Sequence, residues 1–471
     1  MNDPAPVIVP LANFDIVAAW EKLREAPRCL FLDSALQHVR LGRYSFLTAD
    51  PWRWIVAQPG DRDCLARIAE LLAQFQTPTI SGLPPFQGGA AGLFGYEFGA
   101  ALEGVEAAKQ DEFNVPQLAI GFYDVVIGVD HASGDAWLIS QGFPETNKNK
   151  RIERAQQRAD QFLRWLQVGV SPEEAKPPSQ RQPLSVERLT PQFSTPHAGV
   201  TSSFSETAYL AAVERSVEYV RAGDIFQVNL SQRLLHPATS EPATLYRSLR
   251  TCNAAPFAAY FDMDDATLLS ASPERFVQVK GRQVETRPIK GTRLRSGRPE
   301  WDMYAGGDLL ASEKDRAENI MIVDLMRNDL SRVCADESVS VTELCVLEQY
   351  ATVQHLVSTI VARLRDDACP LDLLPAAFPG GSITGAPKIR AMQIIAELEP
   401  TVRGPYCGSL GYIGLDGTVD LNILIRTVTA AAGWWQFPVG GGLVVQSEPR
   451  REYEETWHKA GGILQAIAAI S

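Results

Sequence analysis

From Gln167 to Ser205 the chain loses every helical or strand period and fills with Pro, Ser, Thr and Gln. Such a stretch reads as a linker or long surface loop, and it divides the 471 residues into regions 1–166 and 206–471. Each flank is long enough for a core of its own, since domains typically run ~100–200 residues. Hydrophobic residues make up 45% of the chain, which excludes wholesale disorder. The formal charge of −12 disfavours nucleic-acid binding through bulk electrostatics, because an acidic surface repels phosphate. No apolar run reaches the ~18 residues of a membrane span, and no basic segment near Met1 leads into an apolar one. The expectation is a soluble, cytoplasmic protein with neither nucleic-acid nor membrane partners. The 7 cysteines are odd in number and contain no Cys-x-x-Cys pair, so neither a disulfide framework nor a thiolate zinc site is indicated.

Most of the informative spacing lies after the linker. Leu210, Val213, Val217 and Val220 recur at helical intervals, and Gly223 suits a helix stop. The period then switches to two. Phe226, Val228 and Leu230 alternate with Gln227, Asn229 and Ser231, the pattern of a strand with one polar face. That face meets either water or a polar ligand. A hairpin follows, with Phe276–Val279 and Gln283–Thr286 flanking Gly281-Arg282. Glu274 and Lys290 lie nearly symmetric about this turn, so they form either a structural ion pair or the two halves of a site.

Ser312 with Asp315 resembles a helix cap, opening a helix through Asp329 that carries Glu318 and Asp324. Near the C-terminus Tyr453, Trp457, Ala460, Leu464 and Ile467 form an apolar stripe, while Glu452, Glu455 and Lys459 occupy another face. A charged trio of this kind is usually a solvated face; its chemical alternative is a hard-cation site such as Mg²⁺.

The run Gly380-Gly381-Ser382-Ile383-Thr384-Gly385-Ala386-Pro387-Lys388 is not a P-loop, because Ala386 stands where lysine must follow the second glycine. A Gly/Ser/Thr turn before a helix that runs through Leu398 still offers free N–H groups to an anion. Gly440-Gly441-Gly442 likewise allows close approach of a ligand to backbone. Gly89–Gly95 lacks Gly-x-Gly-x-x-Gly order, and Pro405 before Cys407 rules out a glutaminase elbow. His355 is a lone histidine beside an apolar stretch, more often a core residue than a catalyst.

Taken in order, these segments resemble the chorismate-utilising enzymes. The strongest are Gly223–Leu230, Ser272–Phe276, Thr286–Thr292, Asp315–Asn319, Pro379–Lys388 and Glu452–Thr456. Within that family the aminodeoxychorismate branch holds Lys in its Pro-Ile-x-Gly-Thr segment where anthranilate synthases usually hold Ala; here it is Lys290. Isochorismate and salicylate synthases carry a water-activating Lys where the amine-adding members have Gln; here it is Gln227.

The resemblance implies an α/β (α+β) fold of antiparallel sheets packed face to face with helices outside, the two regions intertwined. It implies Glu274 as general acid, Lys290 as nucleophile, His355 near the leaving hydroxyl and Gln227 as a further catalytic position. It further implies Glu318, Glu452 and Glu455 as Mg²⁺ ligands. Ser382, Thr384, Tyr406, Arg426, Gly441, Gly442 and Lys459 are the corresponding contacts to chorismate. The chain has no glutaminase motif, so ammonia is expected from a separate glutamine amidotransferase subunit. The expected product is 4-amino-4-deoxychorismate, a precursor of 4-aminobenzoate and folate. Leu30-Phe31-Leu32-Asp33-Ser34 resembles the family's tryptophan-binding element, with Asp for Glu. Ser34, Arg43, Tyr44, Ser45, Phe46, Pro256, Phe257 and Ala258 are the matching positions. Two other readings compete: an anthranilate synthase component, and a non-catalytic tryptophan-binding subunit.

Overall fold

The computed structural model describes residues 5–470 apart from 38–39, 58–60, 62, 178, 180, 296 and 351–352. The fold is α+β, with sheets of 13 and 10 strands and 11 helices among the described residues. Pairing within both sheets is antiparallel. The sheets meet face to face. Phe46, Phe261 and Leu268 from the larger pack with Leu93, Ala119 and Tyr412 from the smaller. The Phe86 ring stacks 4.5 Å from that of Tyr412 in the same layer. No helix of the described residues is long and apolar enough to cross a membrane.

Strands from both sides of segment 167–205 share each sheet, as two blocks that meet at one junction. Leu30–Asp33 pairs with Phe257–Asp262 in the larger, and Gly89–Phe94 pairs with Ser409–Gly414 in the smaller. Every residue of Gly89–Phe94 is buried, so this strand needs cover on both faces and cannot lie at a surface. The Pro/Ser/Thr-rich segment itself is laid along the larger sheet. Phe193–Ser194 and Thr201–Ser202 extend its edge beside strand Gln227–Pro237, and the Trp434 indole N–H donates to Leu184 O at 2.9 Å.

Local signals account for several elements. Helix Glu313–Ser331 is capped by Ser312, whose hydroxyl accepts from the Asp315 N–H at 3.2 Å. Gly281, at φ 60, closes the two-residue turn between Arg275–Lys280 and Gln283–Thr286. The register differs from the symmetry read in the sequence. Val279 faces Val284, which would place residue 274 opposite 289 rather than 290. The chain then leaves this ladder: Ile289–Leu294 is a separate strand paired to Val353–Arg363, with Lys290 opposite Leu356. In the C-terminal helix Pro449–Ala468 the buried face is also rotated from expectation, toward Ile463 and Ala466. Strand Trp434–Leu443 and helices Pro242–Cys252 and Glu206–Arg221 pack against this helix, so three neighbours set its buried arc.

Candidate active site

Lys290 is turned inward, and its Nζ donates to Ser382 O at 3.0 Å. Burial pushes its pKa below the usual lysine value, against the pull of the Glu318 and Glu274 carboxylates. Burial likewise raises the Glu274 carboxyl, against the Lys290 ammonium. Glu274 is 5% exposed, and its Oε1 has no hydrogen-bond partner. The two groups thus share a buried site although they do not share a ladder.

Other orphaned buried polar atoms lie on strand Gln227–Pro237 and in the 381–383 turn: both amide atoms of Gln227, Oδ1 of Asn229 and Oγ of Ser382. Unmet hydrogen-bonding capacity at this density is costly for structure alone and points to a polar ligand. Strand Gln227–Pro237 brings the amides in. Its ladder with Trp434–Leu443 sets Asn229 opposite Gly442. A Cβ added at Gly442 would lie 2.1 Å from Gln227 Nε2, so glycine is what lets the Gln227 side chain lie across this strand. Gly442→Ala therefore displaces Gln227. We expect turnover to fall by about 10²-fold while thermal stability changes little, measured by steady-state kinetics and a melting curve.

The anion turn lies under the same strand. Asn229 N–H donates to Thr384 O at 2.8 Å, and the short helix Gly381–Ile383 carries Ser382 inward. Thr384 Oγ1 donates its proton to Gly380 O at 3.0 Å, so toward an anion this residue offers the turn and not the hydroxyl donor. Lys388 points away, pairing with Asp329 at 2.7 Å in a buried contact. Arg426 has φ 50 and a guanidinium whose pKa burial lowers, with no carboxylate to offset it among the described residues. A half-buried cation in that condition favours an arriving carboxylate. His355 is buried on strand Val353–Arg363, and burial together with Arg426 pushes its pKa down to about 4. It is neutral near pH 7. Tyr406 is also buried, with its ring 5.8 Å from the Arg403 guanidinium.

Two of the three expected metal ligands converge above Gly441. A Cβ at that glycine would lie 3.4 Å from Glu455 Oε1 and 3.6 Å from Glu452 Oε2. The same point is 3.4 Å from Lys459 Nζ, which pairs with Glu455 at 2.7 Å and donates to Gly440 O at 2.9 Å. Lys314, which the sequence did not single out, pairs with Glu452 at 3.5 Å. Burial raises the Glu318 carboxyl against the pull of Lys290 and Lys314. As the side chains stand, no three His, Cys, Asp or Glu residues among those described group tightly enough to hold an ion. Lys314 and Lys459 pair with Glu452 and Glu455 there. The donor chemistry fits a hard cation that takes one or two carboxylates and completes its shell with ligand oxygens.

A cavity of about 680 Å³ lies elsewhere, between the sheets. Ser34, Arg43, Tyr44, Phe46, Pro256, Phe257 and Ala258 line it. Ser45 does not, because strand alternation turns its hydroxyl to His131 Nε2 at 2.7 Å and to the Ser34 N–H at 3.0 Å. The Asp33 carboxylate is engaged by Arg250 at 2.6 Å and by the Tyr246 hydroxyl at 3.1 Å. None of Glu274, Lys290 or Ser382 lines it. The Glu274–Lys290 groups and this cavity are therefore two separate places.

A buried acid and a half-buried lysine thus lie by a Gly/Ser/Thr turn. The chain belongs to the chorismate binding enzyme family, whose model matches residues 28–465. It is 38% identical to anthranilate synthase component 1 of Thermus thermophilus, over 96% of this chain and 95% of that one. It is 40% identical to aminodeoxychorismate synthase component 1 of Salmonella typhimurium, over 90% of each. Among solved structures, anthranilate synthase component I from Streptococcus pneumoniae matches with a TM-score of 0.76 and 30% identity, over 91% of this chain and 93% of that chain. The chain is a chorismate-utilising enzyme. Overall identity does not choose between the two activities, since relatives with either name match about equally.

Proposed function

We propose that this chain aminates chorismate at C4, as the synthase component of an aminodeoxychorismate synthase. The observation that carries this reading is Lys290, a half-buried lysine turned onto the Ser382 carbonyl, its pKa depressed, near the buried Glu274 carboxyl of raised pKa. Anthranilate synthases usually hold alanine at that position and have no such nucleophile.

The residues suggest a two-stage displacement. Neutral Lys290 Nζ forms a bond to C2 of the ring, the double bonds shift, and the C4–oxygen bond breaks. Glu274 gives its proton to the departing hydroxyl, which leaves as water. Ammonia then bonds to C4, the double bonds shift back, and the C2–nitrogen bond to Lys290 breaks. The sum is chorismate plus ammonia giving 4-amino-4-deoxychorismate plus water, with the enolpyruvyl group retained. His355, neutral, offers a hydrogen bond near the leaving oxygen, and Gln227 holds the amide positions beside it. Arg426, Tyr406, Ser382, the 441–442 backbone and Lys459 orient the two substrate carboxylates. Glu452 and Glu455, with Glu318 drawn in, would hold Mg²⁺. Bound there, the ion supplies charge neutralisation for the ring carboxylate.

Ammonia is scarce as the free base near neutral pH, so a separate glutamine amidotransferase subunit is the proposed source. The cavity between the sheets is the proposed tryptophan site, with Phe46 and Phe257 as apolar walls. Incubation with chorismate, MgCl₂ and an ammonium salt tests the assignment. The expected product is aminodeoxychorismate without pyruvate release. Pyruvate together with fluorescent 2-aminobenzoate would overturn it in favour of anthranilate synthesis. Tight tryptophan binding with no chorismate loss would leave only a regulatory subunit.

A further inference from the structure

Glu97, in the buried start of helix Tyr96–Leu102, has no part in the chemistry above. Its Oε1 accepts from the Arg403 N–H at 2.7 Å and its Oε2 from the Gly404 N–H at 2.8 Å. One carboxylate thus holds two successive backbone donors, some three hundred residues along the chain. Tyr96 N–H closes the contact by donating to Gly404 O at 2.9 Å.

What hangs on residues 403 and 404 makes this clamp more than a packing detail. Arg403 Nη1 donates to Ile383 O at 3.0 Å, between Ser382 and Thr384. Its Nη2 donates to Asn229 O at 2.7 Å and to Glu399 Oε1 at 2.6 Å, and its Nε to Glu399 Oε2 at 2.9 Å. The guanidinium lies between the Tyr96 and Tyr406 rings, 4.7 and 5.8 Å from their centroids. Tyr406 N–H in turn donates to Arg403 O at 3.2 Å. Moving the 403–404 backbone therefore moves the anion turn and Tyr406 together.

We propose that Glu97 is a positioning residue, setting the placement of Tyr406 and the Ser382 turn against the substrate carboxylates through the 403–404 backbone. The inference rests on the reading of Tyr406 and Ser382 as substrate contacts. Its main effect is on binding: among the described residues Glu97 and Arg403 bond neither Glu274 nor Lys290, and Lys290 meets the turn through the Ser382 carbonyl.

Burial raises the Glu97 pKa to about 7, despite the two backbone donors. The charged groups around it are Glu106 and Asp111 on the loop that follows the helix, Arg233 across a small shared cavity, Arg403 itself, and Glu399 beyond. Protonation turns one oxygen into a donor, so one of the two N–H groups loses its acceptor. The clamp is thus intact above about pH 7 and loosens below it.

The test is steady-state kinetics on the full chain with MgCl₂ and ammonium chloride, reading chorismate loss whatever the product. Glu97→Gln keeps the shape but puts a donor against a donor; KM for chorismate rises about tenfold or more while kcat stays within about threefold. An unchanged KM, or a fall in kcat alone, overturns the proposal. The unsubstituted enzyme supplies a measurement that does not depend on how the variant folds. Its KM rises as pH falls through about 7, and in Glu97→Gln it is high and flat over that range. A wild-type KM constant between about pH 6 and 8 also overturns the clamp. Tyr406→Phe is measured alongside. If its KM is unchanged while that of Glu97→Gln is raised, the clamp stands and the reading of Tyr406 as a substrate contact fails.

Discussion

Lys290→Ala abolishes chorismate amination, lowering kcat/KM by about 10³-fold or more. The reason is chemical rather than structural. Lys290 Nζ makes one hydrogen bond, to Ser382 O, and lies on a strand held by its own ladder to Val353–Arg363. Removing the amine leaves that ladder intact, so the variant should melt close to the parent and still bind chorismate. What it loses is the amine that faces Glu274. The measurement is chorismate depletion with ammonium as nitrogen source, paired with a thermal melt. In the parent, rapid quenching during turnover followed by mass analysis should reveal an adduct on the peptide containing Lys290. Turnover persisting in a folded Lys290→Ala sample would sink covalent catalysis.

Glu274→Gln lowers kcat by about 10²–10⁴-fold, the usual worth of a positioned general acid. Its pH behaviour separates this role from a structural one. Productive chemistry needs Lys290 neutral and Glu274 protonated, a pair that together carries one exchangeable proton. Below the glutamate pKa both groups are protonated and the nucleophile is lost; above the lysine pKa both have lost their protons and the acid is lost. The parent profile is therefore bell-shaped, with its acid limb above the ordinary glutamate value and its alkaline limb below the ordinary lysine value. In Glu274→Gln the alkaline limb disappears. The remaining limb reports Lys290 alone, and its pKa moves further down because a carboxylate that favoured the ammonium is gone. A profile unchanged in shape would remove Glu274 from the acid role.

Short-range signals carried much of the architecture. The cap at Ser312, the turn at Gly281-Arg282 and the alternation from Gln227 onward all appear where their local chemistry requires. The candidate residues were legible as motifs, and the structure gathers Glu274, Lys290, Ser382, Gln227 and Gly442 around one buried set of orphaned polar atoms. The residues that support them were not legible. Glu97, Arg403 and Lys314 carry no spacing that separates them from any other charged side chain, and only their partners give them meaning. Ser45 shows the converse. Its neighbours Tyr44 and Phe46 line the cavity, but a strand reverses its face at every residue, so motif membership does not fix direction.

By itself the sequence determined the elements and the kind of chemistry, because caps, turns, periods and residue types act over a few positions. Only the tertiary structure decided which distant elements meet. Lys290 faces Glu274 through a second strand and not through the hairpin, and the carboxylates of Glu452 and Glu455 converge over a glycine. The physical reason is that strand order follows from which faces must be buried together. That is a property of two whole sheets whose strands come from both halves of the chain.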